Sequence, residues 1–453
     1  MKNNFRFNFL LAGGLFVTGF STTTFSQDTL QHKHHLILNG QLRTRAEFRD
    51  GNFRPLEIGE KPAALVSQRV RFGLNYSFKD LLTIQFTPQF ISLWGQEPMT
   101  QGSGISNGFG LYEAWAKIRV ADGMNFQVGR QAISLDDERF FGALDWAQGG
   151  RAHDALRFNL NRKKVEFQAF GAFNQNYRTL YNNNLSNPTG MLYSPQGAIP
   201  YKWLGAVWLK YHFNEEHALS LLATNIGIQN ATSATDSVKT FNNQTVGLNY
   251  TFRNDKWHLL ADVYYQTGKS SPTKKVQAFL SGVEVHRQIK NWGIGIGSEY
   301  SGGDREISNT VAEHPKYDRN FNAFFSTGHK FFGSMDYFHS GSPMLEVSMW
   351  DNFLAVKVDI GKRWNLNLTA HQFLTTTAIY WNSTDRASGN LGQEFDLGFS
   401  VKINEFVALS GGYSVFLNTS TTDIVKMVEA KRDWQEWAWL SVNIHPRFLD
   451  FKQ

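Results

Sequence analysis

Segments in which every second residue is apolar recur from near the N-terminus to the end of the chain, and they restrict the fold more than any other feature. Over 36–48, Leu36, Leu38, Leu42, Ala46 and Phe48 fall on one side, with Asn39, Gln41, Arg43, Arg45 and Glu47 on the other. Val70, Phe72, Leu74, Tyr76 and Phe78 then alternate with Arg69, Arg71, Gly73, Asn75 and Ser77. The pattern returns at 246–252, 354–360, 366–371 and 394–402, where Glu394 and Asp396 take the polar side. Period two of this quality predicts strands with one apolar and one polar face. About eighteen such segments occur, many joined by short turns such as Lys79-Asp80 and Ala121-Asp122-Gly123. A spacing of roughly 20–25 residues per strand suits short turns at one end and long loops at the other, as in a transmembrane barrel.

The polar face is unlike that of a soluble sandwich. It mixes Arg, Glu, Gln, Asn, Ser and Gly, whereas Arg and Lys are nearly absent from the apolar face. A cation on the lipid side at mid-membrane costs about 2–4 kcal/mol, so that absence is an energetic signature of lipid contact. Aromatics make up 15% of the chain, and Tyr76, Trp94, Tyr112, Trp115, Trp203, Trp257, Trp292 and Trp364 sit near strand ends, as an aromatic girdle would. No blade repeat supports a propeller. Residues 1–26 read as a secretory signal peptide: Lys2 and Arg6, an apolar run from Leu10 to Phe20, and small residues to Ser26. No later stretch is long and apolar enough for a spanning helix. The expected fold is all-β: residues 27–453 form a single transmembrane antiparallel barrel of about eighteen strands with long extracellular or inward loops. The expected location is the outer membrane of a Gram-negative bacterium, with membrane lipid around the barrel.

A barrel of this size holds an aqueous lumen unless loops fill it, and 96–110, 174–200 and 302–349 are the candidate plugs. The polar face of the first half carries Arg43, Arg45, Glu47, Arg69, Arg71, Glu113, Lys117, Arg119 and Arg157, and the sequence pI is about 9.2. A surplus of positive charge on a pore wall gathers anions and lowers their barrier; cross-strand Arg–Glu ladders that merely stiffen the wall are the alternative. The stretch "GRQAISLDDERFFG" packs Arg130, Asp136, Asp137, Glu138 and Arg139 between strands, with Asp145, Arg151 and Asp154 close behind. Strict parity with Phe126 and Val128 aims Arg130 at lipid, so a bulge near Gly129 is expected to turn it inward. Asp136–Arg139 is then a barrel-end or inward-folded segment whose charges pair with Arg151, Asp154 and Arg157.

Enzymatic readings lack a constellation. No G-x-S-x-G is present, and adjacent Asp136 and Asp137 cannot flank a glycosidic bond from two faces. "QHKHH", with His32, His34 and His35, reads as a solvated periplasmic tail, and "LDDERF" lacks calcium-loop spacing. No catalytic group, metal or cofactor is expected, and the alternating faces argue against nucleic acid as a partner.

The run "LYEAWAKIRVADGMNFQVGRQAISLDDERFFGALDWAQGGRAHDALRF", followed by "GHKFFGSMDYF", "LGQEFDL" and "GGYSVF", resembles the alginate export family of outer-membrane barrels. The resemblance implies a monomeric eighteen-stranded barrel whose arginine-rich constriction passes an anionic uronate polymer outward without ATP. On matching positions it places Arg130, Arg139, Arg151 and Arg157, with Glu113, Asp136 and Asp154, in a lumen network. The partner so implied is an anionic polysaccharide or its oligomers, relayed from one inner-wall arginine to the next, with room for a periplasmic protein. A general or nutrient-uptake porin for small anions is the other reading. The chain departs from the family in loop lengths and in ending "FLDFKQ", where Phe451 takes the place of a terminal aromatic.

Overall fold

The computed structural model describes residues 33–51, 53–96, 108–174, 201–230, 239–270, 274–308, 317–338, 345–380 and 385–453. Residues 1–26, read above as a signal peptide, His32 and most of two candidate plugs lie outside them. Eighteen antiparallel strands close into one barrel. The first six are β1 (His34–Arg49), β2 (Ala63–Phe78), β3 (Leu82–Leu93), β4 (Phe109–Ala121), β5 (Met124–Gln131) and β6 (His153–Asn161). The last strand, Trp434–Ile444, breaks at Pro446 and resumes as Arg447–Lys452. It closes on β1, with Leu42 opposite Ile444 and Leu36 opposite Phe451. His34 and His35, expected in a loose tail, belong to this seam: their side chains meet Tyr76 at 2.8 Å and Asp450 at 2.8 Å.

Burial is inverted relative to a soluble domain. Ile296, Leu354 and Leu397 are 63%, 52% and 52% exposed, whereas Arg69 and Glu394 are 0% exposed. Such a surface is stable only against hydrocarbon, with every backbone group satisfied by the closed ladder. Trp257, Trp292 and Trp364 open strands directly after short turns, and Trp94, Trp350 and Trp434 sit at the opposite ends, forming the two girdles. Tyr112 and Trp115 do not join them; both face the lumen.

Trp115 follows the parity of Glu113 and Lys117, and Tyr112 is turned inward by a bulge. On β3 Thr87 lies opposite Glu113 but Pro88 opposite Leu111, so Tyr112 is the extra residue on β4. Pro88 has no N–H for the ladder, which is where a bulge is tolerated. By contrast β5 keeps register from Asn125 through Arg130, with Arg130 opposite Ala114 on one side and Asp154 on the other. Gly129 has a φ of 117°, and a Cβ there would collide with the Ala114 carbonyl, but the strand gains no extra residue. The expected bulge near Gly129 is absent, and Arg130 keeps its outward parity.

Two long connections fold into the lumen, 132–152 and 318–338. They join through backbone bonds from Gly142 N to Phe325 O (2.8 Å) and from Thr327 N to Glu138 O (3.1 Å). Phe140, Phe141, Phe321, Phe324 and Phe325 then form an apolar core inside the barrel. It packs on a patch of inner wall that is itself apolar, including Phe170, Leu204, Ala206 and Trp208. Phe141 meets Phe170 edge-on at 5.1 Å, a geometry the ring quadrupoles favour. The third candidate plug therefore does enter the lumen in part. Its partner is the charged stretch that opens with Arg130.

Candidate functional site

Four arginines from β1 and β2 converge on 145–149 of the first inward segment. Arg43 donates to the carbonyls of Asp145 (2.6 Å) and Ala147 (3.0 Å) and to the Gln148 amide (2.9 Å). Arg45 donates to the Trp146 carbonyl at 2.9 Å, pairs with Glu47 at 2.8 Å, and stacks 3.9 Å over the Trp146 ring. Arg69 reaches the Asp145 carboxylate at 2.9 Å and the Gln148 carbonyl at 3.2 Å. Arg71 reaches the same carboxylate at 3.0 Å and stacks 3.5 Å over Tyr112. Burial raises the Asp145 pKa, but Arg69, Arg43 and Arg71 outweigh it and hold the carboxyl well below the ordinary carboxylate range. This arrangement is a clamp: all four guanidiniums are buried, and each gives at least one donor to the plug. The expectation that Arg43, Arg45, Arg69 and Arg71 line the path as a free relay is corrected accordingly.

Both inward segments are also held from the opposite wall. Arg139 bonds Glu299 (3.2 Å to Oε2), lies 3.8 Å from Asp262, and stacks 3.4 Å over Phe331. The backbone N–H groups of Met335 and Ser334 donate to Glu394 (2.8 Å) and Asp396 (3.4 Å). Asp262, Glu284, Glu299, Asp351, Glu394 and Asp396 all face inward from strands between Trp257 and Lys402, and His371 bridges Asp351 (2.9 Å) and Asp396 (3.6 Å). The lumen thus has a basic arc on β1–β6 facing an acidic arc, and most charges of both hold the plug. Parity in the second half of the sequence carried the acidic arc.

The remaining candidates separate by place. Asp136 accepts from Trp208 (2.8 Å) and Ser220 (2.8 Å), and Glu138 pairs with Lys330 (2.5 Å). Neither pairs with Arg151, Asp154 or Arg157 as expected. Glu113 receives the Ala132 N–H at 3.2 Å, starting the inward turn. Arg151 ties the two inward segments by donating to the Ser326 carbonyl at 2.8 Å. Arg119 sits at a short turn and pairs with Asp80 and Asp122. Arg130 and Asp154 pair with each other at 3.0 Å on the outer wall, and Arg130 also donates to the Leu111 carbonyl at 2.7 Å. The reason both leave the lumen is that β5 keeps register through Gly129 and Arg130. Replacing Arg130 with Glu should therefore leave the reversal potential of single channels unchanged, while Arg151→Glu disturbs it by loosening the plug.

Lys117 and Arg157 are different. Lys117 lies opposite Gln127, which lies opposite Arg157, so the three form one inward row across β4, β5 and β6. Arg157 donates to Asn159 at 2.8 Å, and among the described residues neither cation makes an ion pair. This row is below the clamp, toward the short-turn end; Gln127 is buried and the two cations flanking it are partly buried.

The profile of a family described as alginate export matches residues 35–418. Among curated proteins none matches in sequence. Among solved structures, OccAB4 of Acinetobacter baumannii aligns over 92% of this chain and 99% of its own, with a TM-score of 0.59 at 11% identity. The outer membrane protein opdK of Pseudomonas aeruginosa aligns over 91% and 99%, with a TM-score of 0.58 at 11% identity. OccK8 (OprE) of Pseudomonas aeruginosa aligns over 91% and 98%, with a TM-score of 0.56 at 11% identity. At such identity the likeness is one of fold.

Proposed function

Since this chain belongs to the alginate export family and is an outer-membrane channel by fold, we propose that it conducts anionic polysaccharide or its oligomers by passive diffusion. The observation that carries this reading is the Lys117–Gln127–Arg157 row, where two cations face the lumen and, among the described residues, make no ion pair with a carboxylate. Water in the lumen keeps both charged. Their field concentrates carboxylates at the wall, and the amide between them offers a donor and an acceptor. Contacts of this kind are weak and distributed, which a conducting polymer requires. The clamped arginines act one step removed, by fixing the plug that sets the width of the passage.

Conduction of small anions is a second reading, favoured by the apolar core that fills part of the lumen. Planar-bilayer recordings under a salt gradient test the shared premise. Reversal potentials on the anion side are expected; cation preference, or no conductance, would overturn it. Current block by an oligouronate then favours the polymer over the small anion.

A further inference from the structure

The outer wall carries a polar band that neither the aromatic girdles nor the conduction path accounts for. One outward row runs Ser298–Asn352–Gln372–Gln393 across Trp292–Ser301, Met349–Ile360, Trp364–Leu374 and Asn390–Lys402. The next outward row, one step further from the long loops, runs Ile296–Leu354–Ala370–Phe395. The polar row lies directly beneath Trp350, a girdle residue at the long-loop end, and the second row is apolar wall. Neither row contains a charged residue.

The apolar row is notched. Leu354 and Phe395 stand exposed on either side of Ala370, whose single methyl leaves a gap between them. The trough so formed is bordered by the polar row and has a volume of about 580 Å³, within the roughly 300–1,000 Å³ of small-molecule sites. Its polar border is held in place from within. The Trp350 indole donates to the Ser298 hydroxyl at 2.9 Å, and that hydroxyl donates to the Asn352 carbonyl oxygen at 2.9 Å. The Gln393 amide donates to Gln372 at 2.8 Å, and the Gln372 amide to Asn390 at 2.8 Å. Among the described residues the Asn352 Nδ2 donor and the Gln393 Oε1 acceptor make no hydrogen bond. Unspent polar groups at the edge of hydrocarbon are costly. A donor, an acceptor and an apolar trough leading away from them suit a long apolar chain headed by an amide and a hydroxyl.

We propose that this trough is a lipid site, filled by one amide-linked hydroxyacyl chain of an outer-leaflet glycolipid. The chain lies over Ala370 between Leu354 and Phe395, while its amide carbonyl accepts from Asn352 and its hydroxyl donates to Gln393. Place and chemistry select this occupant. The long loops mark the extracellular end of such a barrel, so the trough faces the outer leaflet and continues the surface that already meets hydrocarbon. An ester-linked phospholipid chain offers acceptors alone and would leave Gln393 Oε1 unpaired. With no cation in either row, a phosphate has no partner there; the neutral linkage of an acyl chain does.

Lipid retention tests the assignment. The barrel is extracted from outer membranes in detergent and washed, and the 3-hydroxy fatty acids released from it by hydrolysis are counted per barrel by mass spectrometry. Native protein should retain hydroxyacyl lipid. Ala370→Trp, which fills the trough, should lower retention about tenfold, the effect of withdrawing about two methylenes from contact. Asn352→Leu combined with Gln393→Leu should lower it about fivefold, as loss of hydrogen bonds at an intact trough does. Leu368→Trp lies on the same outward face but outside the trough, and should retain the native amount. The folded band of each variant on electrophoresis without heating establishes that the barrel is intact. Equal retention by native and Ala370→Trp barrels would overturn the site, as would equal loss in Leu368→Trp. Absence of hydroxyacyl lipid from the native barrel, or retention of phospholipid chains alone, would overturn it too. A dimer without hydroxyacyl lipid that Ala370→Trp dissociates would assign this face to a second copy of the chain instead.

Discussion

Lys117→Glu combined with Arg157→Glu should reverse the ion preference of the channel. One unit charge at roughly 8 Å in a water-like medium is worth about 0.5 kcal/mol. Reversing two charges changes the wall by four units, or about 2 kcal/mol for a passing monovalent ion before screening. Salt near physiological strength takes part of this, leaving a fall of about tenfold in the anion-to-cation permeability ratio. Reversal potentials in asymmetric KCl read the ratio directly, and the effect should grow as salt is lowered. Either substitution alone should give an intermediate value. An unchanged ratio in the double variant would place the row off the conduction path and leave the clamped arginines as the only source of selectivity.

Asp145→Asn should have the largest effect on the plug. The carboxylate lies within 3.5 Å of Arg43, 2.9 Å of Arg69 and 3.0 Å of Arg71. Removing one member of a buried charge cluster leaves the others unpaired, which costs about 3–5 kcal/mol. The barrel wall has its own ladder, so the cost falls on 132–152 and on the segment 318–338 bonded to it. Higher conductance with frequent gating is expected, with native-like barrel content by circular dichroism. The pH dependence has a definite sign. The Asp145 pKa is depressed, so its stabilisation is present above the ordinary carboxylate value near 4 and is lost only as pH falls through the depressed one. The Asp145 clamp should therefore hold from neutral pH down to about 4, and equal conductance and gating of wild type and Asp145→Asn at neutral pH would contradict it.

The barrel itself was legible because parity is a local property. Leu36, Leu38 and Leu42 against Gln41, Arg43 and Arg45 needs nothing beyond a dozen neighbouring residues. Failures came where an outcome depended on distant chain. Arg43 and Arg69 read as free cations because their partners are mostly carbonyls of 145–149, and a carbonyl has no sequence signature. Arg130 was moved inward to avoid a charge in lipid, but Asp154 on the neighbouring strand and the Leu111 carbonyl satisfy it on the outer wall. The bulge was expected at the glycine that permits unusual dihedrals; it formed opposite the proline that cannot complete a ladder. The inner apolar patch was hidden for a simpler reason. In Trp203–His212, Leu204, Ala206 and Trp208 alternate with Gly205, Val207 and Leu209, so both faces are apolar and periodicity cannot say which one meets lipid.

The seam between β1 and the final strand bears on how the molecule assembles. His34 N bonds the carbonyl of Gln453 at 2.9 Å, so the barrel closes only when the first described strand meets the strand that runs to Lys452. The other pairs of barrel strands join neighbours in chain order, but this one carries nearly the full contact order of the fold. Non-local pairing is slow, and until it happens both terminal strands present unpaired edges with hydrocarbon-facing side chains beside them. Phe451 and Leu449 belong to that late edge. Truncating the chain by even a few residues at its end would therefore lengthen the life of an open, aggregation-prone sheet far more than it would weaken the finished barrel.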